Sequence, residues 1–128
     1  MHPKLKAGLL SLTLAAGLCA PLAAQEPKLL SIAVLNDKSS VFSDAGGVGS
    51  VVAAQLAIDD AGGSVLGRPV KLLAPDHQNK TDIGVTLARQ AFDEQGVDAI
   101  FDIGNSAISL AVQELARERG KIVVHSGS

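Results

Sequence analysis

Gly104-Asn105-Ser106 is the stretch of this chain whose residue types best suit holding a small anion. Asn and Ser are strong helix N-caps, and a helix starting there aims free backbone N–H groups and the positive end of its dipole outward. A carboxylate would be favoured at that point; the same two side chains, Asn105 and Ser106, equally serve to satisfy their own helix start. A second polar stretch, Asn36-Asp37-Lys38-Ser39-Ser40-Val41-Phe42-Ser43, runs on to Ala45. It exceeds the ~2–6 residues usual between a strand and a helix, which points to a binding loop. Ser40 and Phe42 are its candidate ligand contacts; the Phe42 ring either meets an apolar ligand group or pins the loop to the sheet. Ser126 and Ser128 add hydroxyls that could donate to the same ligand.

Catalytic constellations are not evident. Gly104-Asn105-Ser106-Ala107-Ile108 lacks the closing glycine of a nucleophile elbow, and neither His77 nor His125 can be assigned as its base. His77, in Asp76-His77-Gln78-Asn79-Lys80, reads as a solvated turn residue, and Asp59-Asp60 and Asp93-Glu94 as solvated helix faces. In Gly46-Gly47-Val48-Gly49-Ser50 the third glycine of a dinucleotide fingerprint would fall at Val52, and the motif does not follow its strand directly. Its glycines are better explained as letting a helix start approach the ligand loop or neighbouring backbone. One cysteine, Cys19, makes no internal disulfide, and no Cys/His cluster has zinc spacing. The residues describe a binding module that is not an enzyme, with neither cofactor nor metal.

The elements that must position these residues alternate along the chain. Leu29–Leu35 is a nearly continuous apolar run, expected of a strand buried on both faces. Val48–Ala61 reads as a helix with Val48, Val51, Val52, Leu56 and Ile58 on a broad apolar side, the kind that faces a core, ended by Gly62-Gly63. Pro69–Pro75 reads as the second strand, delivered by a Gly67-Arg68-Pro69 turn. A helix from Lys80 or Thr81 to Gln95, a strand over Val97–Ile103, a helix closed by Gly120 and a strand over Lys121–His125 complete the series. The last helix is the clearest, with Ile108, Ala111, Val112 and Leu115 at i, i+3, i+4 and i+7. Such alternation predicts an α/β fold: a parallel sheet of order 2-1-3-4 with helices on both faces. Its switch point lies between the first and third strands, and the loops holding Phe42 and Asn105 meet there.

Composition closes off other classes. Among 128 residues, 11 Lys+Arg face 13 Asp+Glu, so no electrostatic footprint for nucleic acid exists. No Trp or Tyr and three Phe leave no stacking platform. Lys4 and Lys6, the apolar stretch Ala7–Leu18, and small residues up to Ala24 have the layout of a secretory signal peptide. That stretch is shorter than the ~20 apolar residues a bilayer span needs. Cleavage after Ala24 would leave a mature chain of residues 25–128, and Leu18 before Cys19 argues against a lipid anchor.

Taken in order behind that leader, the Ser-rich first loop, Val65-Leu66-Gly67-Arg68-Pro69-Val70, Asp76-His77-Gln78-Asn79-Lys80 and Val112–Glu118 resemble the N-terminal part of a known family. The family is the type I periplasmic substrate-binding proteins of ABC transporters, leucine-binding-protein-like, and the resemblance spans Lys28–Ser128. It implies a periplasmic protein that binds a small carboxylate-bearing ligand (an amino acid, amide or aromatic acid) and delivers it to a membrane permease. It implies that the carboxylate meets the loop of Asn105 and Ser106 and the segment Ser126, Gly127, Ser128, with Phe42 where relatives carry an aromatic residue. Ser40 departs from the family's usual Gly and Val41 from its usual Pro, so the shape of that loop is open. Family members are much longer, so residues 25–128 are expected to be an incomplete N-terminal lobe that binds ligand weakly or not at all on its own. A ligand-sensing receptor domain on the same fold is the alternative, followed by an exported nucleotide-binding or hydrolytic enzyme.

Overall fold

The computed structural model describes residues 27–127. The expected signal peptide and Ser128 lie outside the described residues. Strand β1 (Leu30–Leu35) leads to helix α1 (Gly47–Asp60), then a two-residue strand β2 (Ser64–Val65) and β3 (Arg68–Leu73). Helix α2 (Thr81–Asp93), β4 (Ala99–Asp102), α3 (Ser106–Arg119) and β5 (Ile122–His125) follow. The sheet order is β2-β3-β1-β4-β5. The four long strands are mutually parallel and stand in the order expected from right-handed crossovers. The fifth strand, β2, is an addition: it pairs antiparallel with β3 through Ser64↔Pro69 and Val65↔Arg68. Leu66 and Gly67, both at positive φ (51° and 75°), form the two-residue reversal between them.

Alternation along β1 sorts its side chains between two different layers. Ala33 and Leu35 join Ile100 of β4 and face α2 and α3, in a core with Ala88, Ala91, Phe92, Ile108, Val112 and Leu115. Gly84 lets these two helices meet closely: a Cβ on it would stand 2.6 Å from Ile108 Cγ2. Helix α3 ends as the sequence indicates, with Gly120 left-handed (φ 60°) and its N–H returned to the carbonyls of Ala116 and Arg117.

On the other face the expected burial of α1 is corrected. Val48, Val52 and Leu56 are exposed, and among its fourteen residues only Gly47 and Ile58 are buried. The helix turns Ser50, Ala53, Ala54, Ala57 and Ile58 toward Leu30, Ile32, Val34, Phe101 and Val124, across an open apolar groove of about 550 Å³. Alanines are too short to close that gap. The large apolar residues Val48, Val52 and Leu56 gather on the opposite side of α1, so the apolar side read from periodicity is not the side that meets the sheet.

Candidate functional site

The carboxyl ends of β1 and β4 open into a smaller cavity of about 200 Å³. Its wall is Asn36, Asp37, Phe42 and Ala45 from the segment after β1, Gly46 and Gly47 at the start of α1, Asp102 at the end of β4 and Gly104 just beyond it, and Gly127 after β5. This is the topological switch point, where open α/β sheets take ligands, and polar groups converge on it. The larger α1 groove lies over the face of the sheet and is walled almost wholly by carbon, so the smaller crevice is the candidate site.

Asp37 organises the first wall. Its carboxylate accepts from the backbone N–H of Ser40 (2.8 Å) and Phe42 (2.9 Å), from Ser39 N–H (3.3 Å), and from Ser40 Oγ (2.5 Å). Burial on its own would raise the carboxyl pKa, but the Ser40 hydroxyl and the N–H groups of Phe42, Ser40 and Ser39 outweigh it, leaving the value lowered. The Ser40 hydroxyl is thereby committed to shaping the loop. The loop's length thus serves a turn wrapped around one carboxylate, which carries Phe42, 46% exposed, to the mouth of the crevice.

Asp102 organises the floor. Its carboxylate accepts from Asn36 Nδ2 at 3.0 Å and from Ser126 Oγ at 2.5 Å. Burial again works to raise its pKa and is outweighed by the hydroxyls of Ser126 and Ser50 and by the Asn36 amide. Asp102 and Ile103 both adopt positive φ (78° and 60°), which ends β4 at Asp102, short of the expected Ile103. The glycines of the α1 start act as the sequence implied: a Cβ on Gly46 would lie 3.2 Å from Ser50 Oγ and 3.4 Å from Asp102 Oδ2. Gly47 takes φ +46° beside the Asp37 carbonyl.

Asn105 caps α3: its Oδ1 accepts from Ile108 N–H at 3.1 Å, and its Nδ2 donates to Asn79 Oδ1 at 2.6 Å. The N–H groups of Ser106 and Ala107 have no partner among the described residues. Two donors at a helix N-terminus are therefore open beside Gly104.

Of the sequence-derived candidates, Phe42 and Gly127 line the crevice; Asn105 and Ser106 stand at the α3 start next to it. Ser40 and Ser126 spend their hydroxyls on Asp37 and Asp102. Three groups escaped sequence reasoning as individual contacts: Asn36, Asp37 and Asp102. The signal for Asp102 was a lone carboxylate in Ile-Phe-Asp-Ile at the end of a buried strand. His77 is also corrected: it is fully buried rather than solvated, because its N–H donates to the Asn36 carbonyl and its Cβ packs near the Gly84 position.

Four parallel strands thus open at their switch point into a capped, carboxylate-braced crevice, the place where open α/β sheets take ligands. Residues 30–128 match the family model described as periplasmic binding protein, and the chain belongs to that family. Among solved structures it is similar to a branched chain amino acid ABC transporter periplasmic ligand-binding protein from Burkholderia xenovorans LB400. That match has 47% identity and TM-score 0.74, and covers 77% of this chain and 26% of the other. A periplasmic binding protein from Burkholderia mallei gives 35% identity, TM-score 0.75 and coverage of 78% and 27%. A leucine binding protein from Thermotoga maritima gives 29% identity, TM-score 0.68 and coverage of 75% and 27%. The chain thus spans about a quarter of the length of these relatives. No curated protein sequence matches it.

Proposed function

We propose that this chain is the N-terminal, ligand-receiving part of an ABC-transporter substrate-binding protein for a small carboxylate-bearing solute. The observation that carries the reading is the α3 start: Ser106 and Ala107 N–H groups are open beside a crevice at the switch point. Helix dipole and donors together favour a carboxylate there. Asp37 and Asp102 do not oppose it strongly, since each is already ringed by donors. Phe42 and Gly127 offer an apolar ring and a close backbone approach to the rest of the ligand. Ser128 would extend that edge, while Ser40 and Ser126 act through the carboxylates they hold. The 47%-identical relative, named for branched chain amino acids, supports an amino acid as the first ligand to try. The partner of this role is a membrane permease and the place is the periplasm, with residues 1–24 serving as the export signal.

A crevice of about 200 Å³ buries too little of such a ligand for tight binding, because good sites enclose ~70–90% of it. Titrating the isotopically labelled chain with L-isoleucine and with benzoate should shift the Ser106, Ala107 and Gly127 amides, with dissociation constants of about a millimolar. Shifts confined to other residues, or catalytic turnover of the probe, would overturn the reading. Secretion from a Gram-negative host should yield a mature N-terminus at Gln25. Permease and ATPase genes beside this one favour transport; a downstream transmembrane signalling segment favours sensing instead.

A further inference from the structure

His77 is an unusual residue to seal inside a loop. It is fully buried, and its Nε2 has no hydrogen-bond partner. Its Nδ1 accepts the Asn79 N–H at 3.0 Å, so the ring is neutral with its proton on the unpartnered Nε2. The acceptor helps hold a turn that residues other than glycine rarely adopt, with Gln78 and Asn79 both at positive φ (52° and 54°). That turn fixes where the Asn79 side chain points. Asn79 Oδ1 receives the Asn105 Nδ2 bond at 2.6 Å, and Asn105 Oδ1 receives the Ile108 N–H. A single chain of three hydrogen bonds therefore runs from the buried imidazole to the cap of the helix whose first turn faces the ligand.

We propose that His77 is a positioning residue for the ligand-receiving end of α3, acting through Asn79 and Asn105, and that its protonation releases that end. The proposal rests on the crevice reading above and adds a residue and a pH response to it. Protonation would place a donor at Nδ1 opposite the Asn79 N–H, two donors facing each other, so the turn must open. The surroundings set the balance. Asp37 from the loop after β1, Asp76 from the same turn and Asp102 from the end of β4 favour the imidazolium; burial opposes it. Helix α2 presents the Gly84 position and the positive end of its dipole, beginning at Lys80, and α3 presents apolar Ile108 behind Gly84.

The test separates an acceptor at this position from a merely filled one. His77→Asn keeps an oxygen near the place of Nδ1 that cannot be protonated, whereas His77→Ala removes it. In amide spectra of the full chain near pH 7.5, the Asn105 side-chain and Ile108 backbone signals should stay near wild type in His77→Asn and move away in His77→Ala. Lowering the pH to about 5 should move the same two signals in wild type, together with the imidazole, and leave them still in His77→Asn. In Asn79→Ala the imidazole should titrate without them. Equal displacement in the Asn and Ala variants at neutral pH would overturn the proposal. So would wild-type signals that ignore the His77 titration, or loss of all dispersed signals at once. Titration with L-isoleucine and benzoate adds a ligand readout: His77→Ala should weaken binding about fivefold, one net hydrogen bond, with His77→Asn near wild type. If neither probe binds the wild-type chain, the carboxylate reading fails while the amide signals still decide the role of His77.

Discussion

Asn36 Nδ2 donates to Asp102 Oδ2 at 3.0 Å, tying together the carboxyl ends of two neighbouring parallel strands, β1 and β4, on the floor of the crevice. The same nitrogen donates to the Gly47 carbonyl at 2.8 Å, so the start of α1 is held by the same pair. Ser126 Oγ brings in the end of β5. One carboxylate and one amide thus fix three strand ends and a helix start, at a point where Asp102 and Ile103 sit in left-handed backbone. Backbone strain of this kind persists only where surrounding contacts over-determine it.

Asp102→Asn should therefore be costly although it conserves shape and tolerates positive φ. An amide can keep its oxygen toward Asn36 Nδ2 and turn its NH2 toward the Ser126 hydroxyl, which also accepts, but it loses the negative charge that strengthens both bonds. The expected loss is about 1–3 kcal/mol in urea unfolding, with the ligand-induced amide shifts weakened as well. Stability within error of wild type would show that the pair does not brace the floor.

Gly84→Ala tests the helix pair behind the site. A methyl group there collides with Ile108 Cγ2 at 2.6 Å and meets Cδ1 at 3.3 Å, so overpacking should cost about 1–3 kcal/mol. In an Ile108→Ala background the space is free and alanine's better helix propensity should make the same change neutral or stabilising. A double-mutant cycle by thermal unfolding reads the change of sign; an equal cost in both backgrounds would place the strain elsewhere.

The parts of the fold legible in the sequence were those where local chemistry and tertiary demand agree. Helix α3 carried a single apolar stripe, a cap at Asn105 or Ser106 and a stop at Gly120; the stripe and the stop fell where read, and the cap is Asn105. The switch-point location followed from strand alternation, and Phe42 and Gly127 do line the crevice there. What stayed hidden depends on contacts between segments far apart in sequence. His77 lies in a polar pentapeptide, and only the Asn36 carbonyl and the closeness of α2 bury it. Strand β2 turns through Leu66 at positive φ, where asparagine or glycine would have announced the hairpin. Val52 and Leu56 signalled burial on composition, yet α1 offers alanines to the sheet.

That last reversal is testable by a charge pair. Val52→Glu with Leu56→Lys puts an acid four residues before a base on the exposed side of α1, a favourable helix spacing. Both positions are more than half exposed, so unfolding free energy should stay within about 0.5 kcal/mol of wild type. Binding of an apolar fluorescent dye and light scattering should fall, since two large exposed apolar side chains are replaced by charges. A large destabilisation would mean that these side chains are packed after all.

Acid should unfold the chain in two separate descents. His77 has its pKa lowered below the ordinary 6.5 by burial, which outweighs the attraction of Asp37, Asp76 and Asp102. Between the folded value and 6.5 the unfolded state binds more protons than the folded one, so stability drops as pH falls through that window and no further on this account. Asp37, Asp76 and Asp102 also have lowered values: burial acts to raise each, and hydrogen bonds to neighbouring hydroxyl, amide and backbone groups overcome it. Their contribution is fully present above the ordinary 3.8 and is lost as pH falls from there through the folded values. Urea midpoints measured from about pH 8 to about pH 3 should decline below 6.5, flatten, and decline again below 3.8. His77→Asn should remove the upper decline and leave the lower one, whereas Asp102→Asn should reduce the lower one. An upper decline that survives in His77→Asn would assign it to another group.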